Sequence, residues 1–272
     1  MPSIQLLLSD HDLLAMPAGP AVPTGFADLD DVVNGGLSPE TLWAVTGPGG
    51  VGRSMFLTQL ARQAAAAGVA TLLINGRETV GFTVACLLAG QGRVPLHRLR
   101  AGRPGRADGE RLAVAREQLM AFDLEIHAAG RTQNAPDLKG VLARSNLPRL
   151  LLVDDVDLCG QHVTGTLRQL RAVAAETGAT VIVSSPSDVV LDGDRPRPAW
   201  GRLPHVLLAL DRPEMWQRDS PRAGEIDLIL LRNHAGPTAR LGFAFQGHYA
   251  RIDELPSASL QVAPPQTRGG ER

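Results

Sequence analysis

Gly47-Pro48-Gly49-Gly50-Val51-Gly52-Arg53-Ser54 is the stretch on which the reading of the chain turns. It follows a short apolar run, Leu42-Trp43-Ala44-Val45, and leads into a helical pattern from Met55 to Ala67. Strand, glycine-rich turn, helix is the setting of a phosphate-binding loop. Glycines let successive backbone N–H groups curl towards an anion, and the helix N-terminus adds the positive end of its dipole. The pattern G-x-x-x-x-G-K-[ST] is met at every fixed position but one. Where a lysine would reach the β- and γ-phosphates, this chain has Arg53. A guanidinium is wider than an ammonium and prefers planar, bidentate partners, so it meets a phosphate from a different point in space.

The composition gives that arginine a context. Lys139 is the only lysine, so the bias towards arginine runs through the whole chain. The 27 basic residues are balanced by 28 acidic ones, and bulk charge argues neither for nor against a nucleic-acid partner. A chain of 272 residues that is 44% hydrophobic can bury one large core. The expected organisation is an N-terminal arm or linker over 1–20, a body over 21–255, and a disordered Pro/Gln/Gly/Arg tail over 256–272. Cys86 and Cys159 lie far apart in apolar contexts and read as buried free thiols of a reducing compartment. The N-terminus lacks a basic region followed by an apolar core, and no apolar run reaches membrane-spanning length. The expected location is the cytoplasm.

Outward from the loop, apolar runs of strand length alternate with helical patterns. Val69 to Ile74, Leu150 to Val153, Thr180 to Ser184 and Val206 to Leu210 read as strands covered on both faces. Helical patterns run from Val80 to Leu88, from Asp108 to Phe122, from Pro136 to Ser145 and from Val163 to Thr177. Ile226 to Leu231, Ala239 to Phe245 and Tyr249 to Ile252 complete the sheet, the last two antiparallel. The fold class is α/β, a mainly parallel twisted sheet with helices on both faces and an antiparallel C-terminal extension. Ligands of such sheets sit at the C-terminal ends of the strands, where the glycine loop lies.

Three residues carry candidate chemistry beside the loop itself. Ser54 would offer its hydroxyl to Mg²⁺, and Asp154, at the end of an apolar strand, would hold the ion from the other side. Glu78, in the loop after the neighbouring strand, is a candidate base for an attacking water; an exposed helix-start residue is an equal reading. Arg53 leaves two outcomes open: nucleotide bound and hydrolysed poorly, or a fold kept without the activity.

With these motifs placed, the chain resembles the C-terminal ATPase domain of the DnaB-type replicative DNA helicases, on the RecA-like P-loop core, over about Val22 to Ile252. Pro23-Thr24-Gly25-Phe26 with Leu29-Asp30 is similar to the family's opening signature. Arg93-Val94-Pro95-Leu96-His97-Arg98-Leu99-Arg100-Ala101-Gly102 is similar to its segment after the second helix and is the most discriminating match. Val153-Asp154 resembles the Asp-bearing second motif. Arg232-Asn233-His234-Ala235-Gly236-Pro237-Thr238 resembles the late motif that projects a piston lysine and an arginine finger towards a neighbour's ATP. The resemblance implies ATP and Mg²⁺ as cofactors, a homo-oligomeric ring with a hexamer among the sizes open to it, and action on single-stranded DNA.

The departures gather where hydrolysis would occur. Arg53 replaces the loop lysine, Arg77 falls where the family has its catalytic Glu, and Glu78 is one place late. Pro186 stands in place of the γ-phosphate-sensing Gln, Arg232 takes the piston position, and His234 the finger position, with Arg232 or Arg240 as substitutes. The alternatives are a catalytically inactive nucleotide-binding or assembly module, or a RadA- or KaiC-like ATPase, which Asn34-Gly35-Gly36-Leu37 would suit. For DNA, the polar segment Ser187 to Arg202 offers Arg195, Arg197 and the stacking face of Trp200; a solvated Arg/Pro loop is an equal reading. The basic segment 93–106 is expected to serve packing and subunit contacts. An Asp154 remote from the turn, or an Arg53 salt-bridged inward so as to fill the hollow, would close the nucleotide site.

Overall fold

The computed structural model describes residues 20–128, 140–142, 145, 148–159, 162–187, 200–255 and 261–262. The order of elements is α1 (Ala27–Val32), β1 (Leu42–Gly47), α2 (Arg53–Ala66), β2 (Thr71–Asn75), α3 (Val80–Gly92), α4 (Leu96–Arg100), α5 (Arg106–Met120), β3 (Leu124–Ala128), β4 (Leu150–Asp154), α6 (Val163–Thr177), β5 (Thr180–Pro186), β6 (Val206–Asp211), β7 (Glu225–Asn233), β8 (Ala239–Gln246), β9 (Arg251–Glu254) and β10 (Gln261–Val262). The strands form one sheet in the order β10-β8-β7-β6-β1-β5-β4-β2-β3, with β9 paired to β8. From β6 to β3 every pairing is parallel; β7, β8, β9 and β10 join antiparallel.

The central strands are apolar on both faces because both are covered. One face of β1, β4 and β5 sends Trp43, Val45, Leu150, Leu152 and Ile182 into a core with Phe56, Leu57 and Leu60 of α2. The other sends Leu42, Ala44, Leu151, Val153, Val181 and Val183 against Leu167, Leu170 and Ala174 of α6. The alternation of period two places successive residues in different cores.

The opening signature acquires a physical role. The Phe26 amide donates to Thr24 Oγ1 at 3.1 Å, and the Thr24 amide donates to Asp30 Oδ1 at 2.9 Å. This turn seats the Phe26 ring 5.6 Å from Phe56 of α2 and 5.1 Å from Phe243 of β8. The helix that follows the glycine loop is thereby packed against the last strands of the sheet.

Several boundaries differ from expectation. α3 extends to Gly92, and the helix expected from Asp108 begins at Arg106, with Asp108 in its first turn accepting from the Gly105 amide. Of the tail expected to be disordered, Gln261–Val262 pair with Ala239 and Arg240. Residues 1–19 and Pro136 lie outside the described residues. The basic segment packs: Arg98 pairs with the buried Asp108 at 2.9 Å, and the Arg100 guanidinium sits 5.5 Å from the Phe82 ring.

Candidate functional site

β1 ends at Gly47, and α2 begins at Arg53, so residues 48–52 must turn the chain within a few ångströms. Gly52, the residue before α2, has φ 116, and a Cβ there would lie 2.9 Å from the Phe245 ring. Only glycine fits that conformation and that space.

Arg53 turns back on its own loop. Its Nη1 donates to Gly47 O at 2.5 Å and to Pro48 O at 2.8 Å, and its Nη2 to Asp155 Oδ1 at 3.3 Å. The side chain is 8% exposed, and Nε is buried with no partner among the described residues. The inward ion pair named above as a sign of closure is therefore present. The filling of the hollow is not. A cavity of about 420 Å³ remains, with Gly49, Gly50, Arg53, Ser54, Arg77 and Glu78 in its walls.

Asp154 is beside the turn. Strands β1, β5 and β4 are adjacent, and Asp154 is hydrogen-bonded to Ser184, with the Ser54 hydroxyl close enough to act on its carboxyl. Ser184 Oγ donates to Asp154 Oδ1 at 2.5 Å and accepts from the Asp155 amide at 2.8 Å. Asp154 Oδ2 is buried with no partner among the described residues. Burial pushes the Asp154 carboxyl above the usual carboxylate range, and the neighbouring hydroxyls of Ser184 and Ser54 oppose the shift.

The loop after β2 approaches the same corner. Asn75 Oδ1 accepts from the amides of Arg77 at 3.0 Å and Glu78 at 2.8 Å, which fixes both backbones. Arg77 Nε donates to Asp155 Oδ2 at 2.6 Å while its side chain stays 56% exposed. One buried carboxylate thus holds two arginines. Glu78 is half-buried, and Pro186 also lines the cavity.

Sequence reasoning missed Asp155 and Ser184. The doubled acid at the end of β4 was the available signal for Asp155; nothing in the sequence singled out Ser184. It also missed Arg212, whose Nη1 donates to Gly50 O at 3.3 Å and whose guanidinium lies 3.8 Å from the Phe245 ring centre.

Arg232 and His234 lie at the other end of the sheet. β7 is antiparallel to β6, and Asn233 pairs with Val206 at the start of that strand, whereas the glycine loop follows the end of β1. They do not meet their own chain's loop. Arg232 donates to Arg202 O at 2.7 Å. The His234 ring lies 5.1 Å from His205, and partial burial, then the Arg232 charge, pushes its pKa down. Arg240 is committed to Asp227 at 2.5 Å and Asp211 at 3.4 Å. Trp200 corrects an expectation: it is 9% exposed and packed in the core with Leu207 and Leu231, so it presents no stacking face. Its polar neighbours in sequence concealed an apolar contact. Arg195 and Arg197 lie outside the described residues. Among those described, no helix is long and apolar enough to cross a membrane.

A glycine loop after β1 beside an acid-tipped β4, in this strand order, defines a RecA-like domain of the P-loop class. The family model described as DnaB-like helicase C terminal domain matches residues 21–188, and the chain belongs to that family. It is similar to the replicative DNA helicase DnaB of Leifsonia xyli subsp. xyli, 27% identical over 270 residues, covering 86% of this chain and 56% of that one. The chain thus spans about half the length of this relative. It is also similar to the DNA repair protein RadA of Mycobacterium tuberculosis, 29% identical over 157 residues, 56% of this chain and 27% of that one. A solved DnaB-like replicative helicase, described with its interactions with primase, superposes with a TM-score of 0.77 at 17% identity, covering 94% of this chain and 67% of that one. A solved ATPase domain covers 94% of this chain and 99% of its own length at a TM-score of 0.76 and 19% identity.

Proposed function

We propose that this chain is a nucleotide-binding module of the DnaB-like kind, holding ATP with Mg²⁺ on residues 47–54 and working as one copy of a homo-oligomeric ring. The observation that supports it is a pair of orphan atoms of opposite character, Arg53 Nε and Asp154 Oδ2, buried in one corner. Buried polar atoms rarely lack partners; a donor in a glycine loop suits an anion, and a carboxylate suits a cation. The residues present fit Mg²⁺. Ser54 and Asp154 would hold it, and because the described residues contain no group of three or more His, Cys, Asp or Glu able to hold a metal, phosphate oxygens and water would complete its shell. The ion would supply neutralisation of phosphate charge. Asp154 would also keep Ser54 oriented, and Arg53 would present its remaining N–H groups to phosphate.

Slow turnover follows from the same residues. Arg77 stands where a water-activating carboxylate would stand, and Pro186 has no side-chain donor. His234, with its pKa pushed down, is neutral at pH 7 and carries no finger charge. A second reading, ATP-driven translocation on single-stranded DNA in the cytoplasm, is supported by Glu78, which lies in the cavity wall. The test is titration with a labelled ATP analogue, with and without Mg²⁺, beside a turnover assay. Mg²⁺-dependent binding without turnover, lost in Ser54→Ala, supports the first reading. Turnover abolished by Asp154→Ala supports the second. No binding sinks both. Mass measurement with and without nucleotide tests the ring.

A further inference from the structure

We infer that Arg77 is a phosphate-binding residue that makes this site prefer a nucleoside triphosphate over a diphosphate. The inference rests on the nucleotide reading above and adds which phosphate is recognised, and by what. Its ground is the way Arg77 is held. Nε alone is spent on Asp155 Oδ2, at 2.6 Å. The two terminal amino groups have no partner among the described residues, and the side chain, 56% exposed, lines the cavity. A guanidinium anchored through Nε presents its outer edge as a fork, the geometry that takes two oxygens of one phosphate.

The anchor is built rather than incidental. Asp155 is 2% exposed and sits in a left-handed backbone conformation, φ 51, that turns its carboxylate towards both arginines. Asn75 pins the Arg77 amide. Gly76 lets the loop touch β4: a Cβ there would lie 2.9 Å from both Asp154 O and Asp155 O. Arg53 and Arg77 share that one carboxylate as their direct partner, while Asp154 and Asp157 act on Arg77 from further off. The buried Nε of Arg53 is a second, independent sign that an anion completes the corner.

Position selects the phosphate. The amides of residues 49–52 and the start of α2 serve the part of a polyphosphate that lies on the glycine loop. Arg77 comes from a strand three places away in the order β1-β5-β4-β2, about 14 Å at the backbone, and reaches back across Asp155. It therefore meets a polyphosphate from the side opposite the loop, where a third phosphate extends and a second does not. In this chain a fixed cation thus takes the place of a base, and the terminal phosphate is gripped instead of attacked.

The experiment measures the affinities of the intact chain for ADP and for a non-hydrolysable ATP analogue, both with Mg²⁺, in the wild type, Arg77→Ala and Arg77→Lys. Arg77 is half-exposed, so the variants fold. The expected result is a triphosphate preference of about tenfold or more in the wild type. Arg77→Ala should bring it near unity by weakening the analogue while leaving ADP unchanged, and Arg77→Lys, an unforked cation, should restore part of it. Equal affinities in the wild type, a preference untouched in Arg77→Ala, or equal weakening of both ligands would overturn the inference while leaving the nucleotide site standing. Failure of the wild type to bind either ligand overturns the nucleotide site and this inference with it.

Discussion

Gly76 and Asp154 meet through their backbones: the Gly76 amide donates to the Asp154 carbonyl at 3.0 Å, tying the loop after β2 to the tip of β4. The contact holds the two candidate acids, Glu78 and Asp154, and the two arginines in one corner. Gly76→Ala should lower stability by about 1–3 kcal/mol, because the atoms its methyl would meet are backbone and cannot swing aside. Chemical denaturation measures this. A loss of less than a few tenths of a kcal/mol would mean that the corner yields easily.

Arg53→Lys tests whether the glycine loop alone limits turnover. An ammonium can reach the Gly47 and Pro48 carbonyls but leaves Asp155 Oδ1 without its partner, at a cost of about 1–3 kcal/mol in thermal or denaturant unfolding. ATP turnover should stay at the wild-type level, because Arg77, Pro186 and His234 are unchanged. Recovery of hydrolysis in this single variant would place the defect in the loop.

The burial of His205 makes stability depend on pH. His205 Nδ1 accepts from the Leu42 amide at 2.9 Å. Burial first, then the charges of Arg171, His234 and Arg232, push its pKa from 6.5 down to about 4. The unfolded chain therefore binds more protons than the folded one between these values. The contribution is complete above pH 6.5 and is lost as the pH falls towards 4. Asp154 has the opposite sign, since its raised pKa favours the folded state on acidification. Unfolding midpoints at pH 7.5 and pH 5 in the wild type and His205→Asn isolate the histidine, because an asparagine oxygen can take the Leu42 amide. The variant should lose less stability between the two pH values; parallel losses would remove His205 as the cause.

Trp200→Ala should destabilise the fold by about 3 kcal/mol or more, as expected for removing a large side chain from a packed core. Once scaled to the folded fraction, affinity for a single-stranded oligonucleotide should be unchanged. A selective loss of oligonucleotide binding with normal stability would restore Trp200 as a stacking surface.

What was legible in the sequence was what is contiguous in it. The glycine loop declares itself through spacing within eight residues, and the strand before it and helix after it are adjacent segments. The apolar run into Asp154 is likewise local. The partners of these residues are not. Asp155 and Ser184 matter because β5 enters the sheet between β1 and β4, an order no local pattern specifies. Arg53 could be recognised as a departure, but its use on Gly47 O and Pro48 O depends on the curl of the loop. Trp200 was misread because an arginine- and proline-rich neighbourhood looks solvated, while its ring is covered by strands that follow it in sequence.

The clasp of Arg53 on Gly47 and Pro48 holds the anion cradle in shape. The side chain bridges the beginning and end of the turn through bonds made within the chain itself. These bonds hold the curl from within, so a phosphate bound there, as proposed above, would meet amides already converged. Association at such a rigid mouth should carry little entropic penalty from the backbone, so affinity there is set by charge and fit.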